Sequence, residues 1–235
     1  MKLVIVTGGS KGLGKALVEQ YVLNEDWHVV ELSRSGMSKC NIHCDLSDVK
    51  SITSLSTSLF IKLAGNEWDE VVYINNAGDL KPISSISSLN PVEIERNISI
   101  NQISPFILLS AFMGNFRCYE GRKTIVNISS GAALKGYAGW SLYCASKAAC
   151  ENFINAAAVE EEFQKFPFVA VNYDPNVMDT SMQGAIRDSD EAHFPAKERF
   201  IEYKDSGSLL APAHVALDLI QKISIGMVNT SRYSV

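Results

Sequence analysis

In Tyr143-Cys144-Ala145-Ser146-Lys147 a phenol and an ammonium stand at i and i+4, which puts both on one face of a helix. A free phenol releases its proton only near pH ~10. An ammonium ~4 Å away, at an effective dielectric of about 20, contributes roughly 4 kcal/mol toward the phenolate. Such a pair can pass a proton near neutrality with no metal, and a carbonyl reduced by hydride leaves an alkoxide that needs one. The spacing alone is common on surface helices, so its weight rests on position. Ser130 lies 13 residues upstream, just past an apolar run over 124–128, and Asn101 lies in the helical stretch before that.

A second pattern stands near the N-terminus. The apolar run 3–7 leads into Thr7-Gly8-Gly9-Ser10-Lys11-Gly12-Leu13-Gly14, and a helical pattern follows. Glycines there let backbone N–H groups approach a pyrophosphate, and the helix N-terminus adds its dipole. Strand, loop and helix in that order are the context a dinucleotide loop requires. The next strand ends in Ser33-Arg34, with no carboxylate at its tip. An acidic residue at that place reads the 2′-hydroxyl of NAD, whereas an arginine accommodates the 2′-phosphate of NADP. Arg34 and Lys11 suit a dianionic phosphate. Glu31, on the strand itself, is the competing candidate. The balance favours NADP(H).

These groups need a scaffold, and the chain alternates strictly. Compact Val- and Ile-rich runs at 3–7, 27–32, 70–75, 124–128 and 168–173 read as strands buried on both faces. Helical stretches at 13–23, 49–63, 91–116, 142–165 and 213–223 separate or follow them, with a last short strand expected at 227–229. Alternation of this kind implies right-handed crossovers and a doubly wound parallel sheet in three layers, α/β/α. No linker or internal repeat divides the chain, so 1–235 reads as a single domain.

Composition narrows the partners. With 21 Lys+Arg against 26 Asp+Glu, the chain lacks the basic footprint of a nucleic-acid or anionic-membrane binder. No apolar run approaches the roughly 20 residues of a membrane span. The N-terminus lacks a signal-peptide pattern, which leads to the expectation of a cytoplasmic protein. Five scattered cysteines (Cys40, Cys44, Cys118, Cys144 and Cys150) fit reduced thiols. Cys40, His43 and Cys44 lack a second ligand pair at zinc spacing, so no metal is expected.

The T-G-x-x-x-G-x-G loop, Asp45-Leu46, Asn75-Asn76-Ala77-Gly78 and Tyr143-x-x-x-Lys147 together resemble the short-chain dehydrogenase/reductase family over 7–147. The resemblance implies a Rossmann-type fold, an NADP-dependent oxidoreductase and a catalytic tetrad of Asn101, Ser130, Tyr143 and Lys147. In it Tyr143 passes the proton, Ser130 holds the carbonyl oxygen, Lys147 also binds the nicotinamide ribose, and Asn101 positions a relay water. Ser129 is the other possible serine, but alternation along the strand places it opposite Ser130. The implied cofactor contacts begin with Gly8, Ser10, Lys11, Gly12, Leu13 and Gly14. They continue with Ser33, Arg34, Asp45 and Leu46, then Asn76, Ala77 and Gly78. Tyr143, Lys147, Pro175, Met178 and Thr180 complete them.

One departure is clear. The family's Pro-Gly after the strand at 168–173 reads Pro175-Asn176 here. Asn tolerates positive φ better than other non-glycine residues, so an intact loop is expected, with Met178 and Thr180 at the carboxamide. Residues 126–149 and 172–183 are similar to sepiapterin reductases and bacterial benzil reductases, which reduce α-dicarbonyls. That implies a small-molecule carbonyl substrate meeting Ser130, Trp140, Tyr143, Met182 and Gln183, under a lid over 181–210. Packing is the alternative role for Trp140. Sepiapterin reductases hold the pterin with a carboxylate near the C-terminus, whereas here the last one is Asp218. The expectation therefore leans to a hydrophobic benzil-like diketone, with sepiapterin as the alternative. A non-catalytic NADP-binding regulator and a nucleotide-sugar epimerase are the rival classes. The helices 91–116 and 142–165 are the family's usual dimerising pair, which implies a homodimer or a tetramer.

Overall fold

The computed structural model describes residues 1–235. Strands β1 (Lys2–Thr7), β2 (Trp27–Ser33), β3 (Asn41–His43), β4 (Glu70–Asn75), β5 (Arg122–Ile128), β6 (Val169–Asp174) and β7 (Arg232–Ser234) form one sheet. Its order is β3-β2-β1-β4-β5-β6-β7, and every pairing is parallel. The chain steps from β1 out to β3, then returns to place β4 on the other side of β1. The crevice at the carboxyl ends of β1 and β4 is thus the topological switch point where open α/β sheets bind ligands.

Both sheet faces are covered, which is why the central strands read as continuous apolar runs. On one side α2 (Val49–Ala64), α4 (Ser104–Asn115) and α5 (Ser141–Glu161) pack Phe60, Leu108, Phe112 and Ile154 against Leu3, Ile5, Tyr73 and Ile125. On the other, α1 (Gly12–Val22) and α8 (Pro212–Ile225) pack Leu17, Val18, Val215 and Leu219 against Val4, Val6, Val72 and Val171. Cys44 is buried in the first core and Cys40 packs at the edge of the second. No three His, Cys, Asp or Glu side chains come together in a metal-holding group.

Two expected elements differ. The stretch 91–116 is not one helix: α3 (Pro91–Ile98) and α4 are joined by a π-helical turn over Ser99–Ile103. Pro105 has no N–H, so the carbonyl of Asn101 lacks its helical donor. It accepts instead from the Cys150 thiol at 3.1 Å. The last strand is Arg232–Ser234 rather than 227–229. The apolar Met227 is spent against the second core, and the edge strand forms where Arg232 finds acceptors on its neighbours. The segment 181–210 folds as α6 (Ser181–Arg187) and α7 (Lys197–Asp205) over the carboxyl edge of the sheet. No helix is long and apolar enough to cross a membrane.

Candidate active site

The glycine turn after β1 is shaped by close approach. Gly8 has φ +71°, and a Cβ on Gly14 would lie 2.2 Å from the Gly8 carbonyl oxygen. Only glycine at 14 lets the first turn of α1 sit on the loop. Thr7 and Asn76 strap the loop to β4. The Thr7 hydroxyl accepts from the N–H groups of Asn76 and Ala77 at 3.0 Å, and Asn76 Nδ2 donates to the Thr7 carbonyl at 2.9 Å. Helix α1 follows Lys11 at its N-cap position with no side-chain cap and no acidic residue in its first turn. Its leading N–H groups therefore remain available to an anion.

In front of this turn lies a cavity of about 610 Å3. One end is lined by Ser10, Lys11, Ser33, Arg34, Asp45 and Leu46, and by Ser35, which the motifs did not indicate. Lys11 and Arg34 are exposed, and neither joins any ion pair of the protein. Glu31 does not compete with them. It is 1% exposed, and its carboxylate accepts from the hydroxyls of Ser33 at 2.8 Å and Ser38 at 2.5 Å. The Ser33 hydroxyl is itself engaged by Asn41 and Gly36, so Ser33 offers the cavity its backbone. Burial alone would raise the Asp45 carboxyl. Hydrogen bonds from Ser47, with Arg34 and His43 nearby, outweigh it and hold the group below the usual carboxylate range. Burial pushes the Cys44 thiol at this wall up to about 11.

At the other end Tyr143, Lys147, Gly78, Pro175, Met178 and Thr180 line the cavity. Tyr143 is 8% exposed, and the Lys147 ammonium lies 5.7 Å from its ring centroid. Lys147 Nζ donates to the Ile128 carbonyl at 2.6 Å and has no carboxylate partner. A Cβ on Gly78 would stand 3.6 Å from Asn101 Oδ1 and 3.9 Å from Lys147 Nζ, so these three meet at the cavity floor. Asn101 itself sits behind the lining. Its amide is locked onto Asp79, accepting from the N–H at 2.7 Å and donating to the carbonyl at 2.8 Å.

The two serines part as alternation requires. Ser129 is 2% exposed and its hydroxyl donates to Glu151. Ser130 caps a short 3-10 turn, and its Oγ accepts from the Ala132 N–H at 3.1 Å, which leaves the hydroxyl hydrogen free to donate. Ser129 is among the residues that line the cavity, and Ser130 is not. Of the residues expected at the substrate, Met182 lines the cavity, while Trp140 and Gln183 are placed in the packing of the lid. The Trp140 ring stacks on Phe194 at 4.6 Å and meets Tyr143 edge-on at 5.9 Å. Gln183 is buried with Nε2 on the Phe200 carbonyl at 2.8 Å. The wall facing Tyr143 also includes Leu80, Lys81 and Ala185. Leu80 and Lys81 directly follow Asn75-Asn76-Ala77-Gly78-Asp79, a signal that could have placed them. The cradle at Gly14, the uncapped α1 and the unpaired Lys11 and Arg34 fit a nicotinamide dinucleotide as the donor set.

Known proteins resemble the chain along most of its length. A short chain dehydrogenase family model matches residues 2–191. The chain is 35% identical to a benzil reductase ((S)-benzoin forming) of Bacillus subtilis, over all of this chain and 98% of the relative. It is 30% identical to the sepiapterin reductase of Bos taurus, over 80% of this chain and 76% of the relative. The crystal structure of the KRED1-Pglu enzyme superposes with a TM-score of 0.83 at 30% identity, covering 99% of this chain and 100% of that one. The chain belongs to the short-chain dehydrogenase family and is an oxidoreductase whose family cofactor is a nicotinamide dinucleotide.

Proposed function

We propose that the protein is an NADPH-dependent carbonyl reductase whose substrate is a small, apolar α-dicarbonyl of the benzil type. The observation that carries this reading is a single cavity with two unpaired cations, Lys11 and Arg34, at one end and Tyr143 beside Lys147 at the other. Bound NADPH supplies the hydride. Tyr143 gives its proton to the oxygen on which charge develops, and the free Ser130 hydroxyl hydrogen steadies that oxygen. The Lys147 ammonium stabilises the phenolate that Tyr143 leaves, and the Ile128 carbonyl holds it in place. Asn101, clamped to Asp79, keeps the floor beneath Lys147 closed to side-chain collapse.

Leu80, Met178, Met182 and Ala185 give the reacting end an apolar wall, in keeping with the relatives named benzil reductase. A pterin is favoured less. Asp218 is the last carboxylate side chain, and its two oxygens are taken by the Tyr173 hydroxyl and the Lys222 ammonium. The proposal extends to a cytoplasmic homodimer built on α4 and α5. The dimer is supported by the exposed apolar side chains of Val159 on α5 and Phe163 just past its end.

The test is NADPH oxidation by the purified protein with benzil, methylglyoxal, 1-phenyl-1,2-propanedione and sepiapterin. Turnover is expected to be fastest with the aryl diketones, and Tyr143→Phe should lose about 10²- to 10⁴-fold in kcat. No turnover of any carbonyl would favour the non-catalytic regulator. Activity that survives Tyr143→Phe would remove the proton-donor role.

A further inference from the structure

Four residues past Lys147 and eight past Tyr143, α5 carries Glu151, so the three share a helix face. Glu151 is 9% exposed. Its Oε1 accepts from the Ser129 hydroxyl and, at 2.9 Å, from Nε of Arg232 on the edge strand β7. Arg232 Nη2 donates to Asp174 Oδ2 at 2.9 Å and to the Ser130 carbonyl at 3.3 Å. The other oxygen of Asp174 accepts from the N–H of Asn176 at 3.0 Å, and Asn176 is held at φ 54°. One guanidinium therefore ties together the helix of Tyr143 and Lys147, the end of β5 at Ser130, and the Asp174-Pro175-Asn176 turn that opens the cofactor loop.

A simple surface ion pair needs one carboxylate and fixes little. Here the fork is divided between two carboxylates and a carbonyl on separate elements, each leading directly to a group at the cavity. Charge-assisted, directional bonds of this kind fix geometry as well as add energy. Without the cation, two carboxylates would face the same small space, and their repulsion would push α5 and the end of β6 apart.

We propose that Arg232 is a positioning residue. Through Glu151 and Asp174 it sets the spacing of Ser130 against Tyr143 and Lys147, and holds the Pro175–Thr180 loop against the nicotinamide end of the cavity. This rests on the assignment of those residues as catalytic and cofactor groups. The Asn176 turn, which replaces the family's glycine, is then supported from β7 through Asp174.

The experiment compares Arg232→Ala, Arg232→Lys and Asp174→Asn with wild type in the full chain. It reads thermal midpoint, NADPH and NADH dissociation constants by fluorescence, and kcat and KM for a diketone at saturating cofactor. Arg232→Ala should lower kcat about ten- to hundredfold, as a misplacement near 1 Å does, and leave the substrate KM within about threefold. Guanidinium ion at tens of millimolar should restore part of kcat to Arg232→Ala and nothing to Tyr143→Phe. Arg232→Lys should fall between, because an ammonium cannot fork. Asp174→Asn keeps an acceptor for the Asn176 N–H and loses the charged arm, so it should weaken cofactor binding at an unchanged thermal midpoint. It also decides the matter if Arg232→Ala fails to fold. Wild-type kcat and cofactor affinity in Arg232→Ala, or a loss that follows the thermal midpoint and resists guanidinium, would overturn the inference. If wild type turns over no carbonyl, the reductase reading fails, while cofactor binding by the Arg232 and Asp174 variants still decides this one.

Discussion

Arg34→Ala isolates the choice between the two nicotinamide cofactors. Arg34 is exposed and free of ion pairs, and Glu31, its only rival as a 2′-group reader, is buried against Ser33 and Ser38. Exposure sets the magnitude. A dianionic phosphate ~4 Å from a guanidinium in water-like surroundings gains about 2 kcal/mol, less a fraction lost to salt. The bidentate hydrogen bonds of an arginine fork bring the total to about 1.5 to 3 kcal/mol. Arg34→Ala should therefore weaken NADPH binding about ten- to hundredfold. NADH, which has no 2′-phosphate, should change by less than about twofold, and Lys11 should keep some NADPH preference in the variant. Titration of intrinsic fluorescence with each cofactor, at two ionic strengths, measures both constants. The NADPH effect should shrink at the higher salt. A wild-type protein that prefers NADH, or an Arg34→Ala variant with an unchanged NADPH-to-NADH ratio, refutes the reasoning.

Asn176→Gly relaxes a positive-φ residue that Asp174 already holds, so NADPH affinity should stay within about threefold, and a gain beyond about tenfold would mean the present turn is strained. Lys123 is 1% exposed and its ammonium donates to the carbonyls of Phe116, Arg117 and Phe166. Lys123→Met strands these acceptors and should cost about 2 to 4 kcal/mol in urea unfolding; wild-type stability would show that desolvation of the ammonium cancels its bonds. Burial tends to raise the Asp218 carboxyl, but the hydrogen bonds from Lys222 and Tyr173 outweigh it and lower the group overall. Its contribution is then present above the unfolded value near ~3.9 and lost as pH falls through the lower folded value. Asp218→Asn should flatten that acid limb of the stability curve, and an unaltered limb would remove Asp218 from it.

The parts of the site that depend on local chemistry were readable in the sequence. Gly8 and Gly14 are dictated by turn geometry close in the chain, and Tyr143 and Lys147 by a helical repeat, whereas Asn76, which reaches Thr7 from 69 residues away, was marked only by the family motif. The sheet was readable because its central strands are buried on both faces. What stayed hidden depends on contacts distant in sequence. Arg232 is one cation in a polar tail, and nothing around it marks the carboxylates 58 and 81 residues away. Glu151 continues the Tyr143–Lys147 spacing, which places it on the same helix face but does not reveal its partners. Trp140 is aromatic at a helix start beside Tyr143, which suits both a pocket wall and packing; only the fold of the lid put Phe194 against it. The π-helical turn was masked because 91–116 keeps a helical apolar pattern across it, although Ser104-Pro105 announced a missing donor.

That turn also constrains how this protein can change. Residues in an α-helix are spaced about 100° apart around the axis. Deleting one residue from Ser99–Ile103 would let the helix run straight, and would turn its two halves against each other by about that angle. Either Asn97 and Asn101 would leave Asp79, or Leu108 and Phe112 would leave the core. Substitutions can alter which side chain stands at 101, but a shift in register is refused by the cavity floor and the hydrophobic core together. Foldability and site geometry are thereby tested by the same mutation.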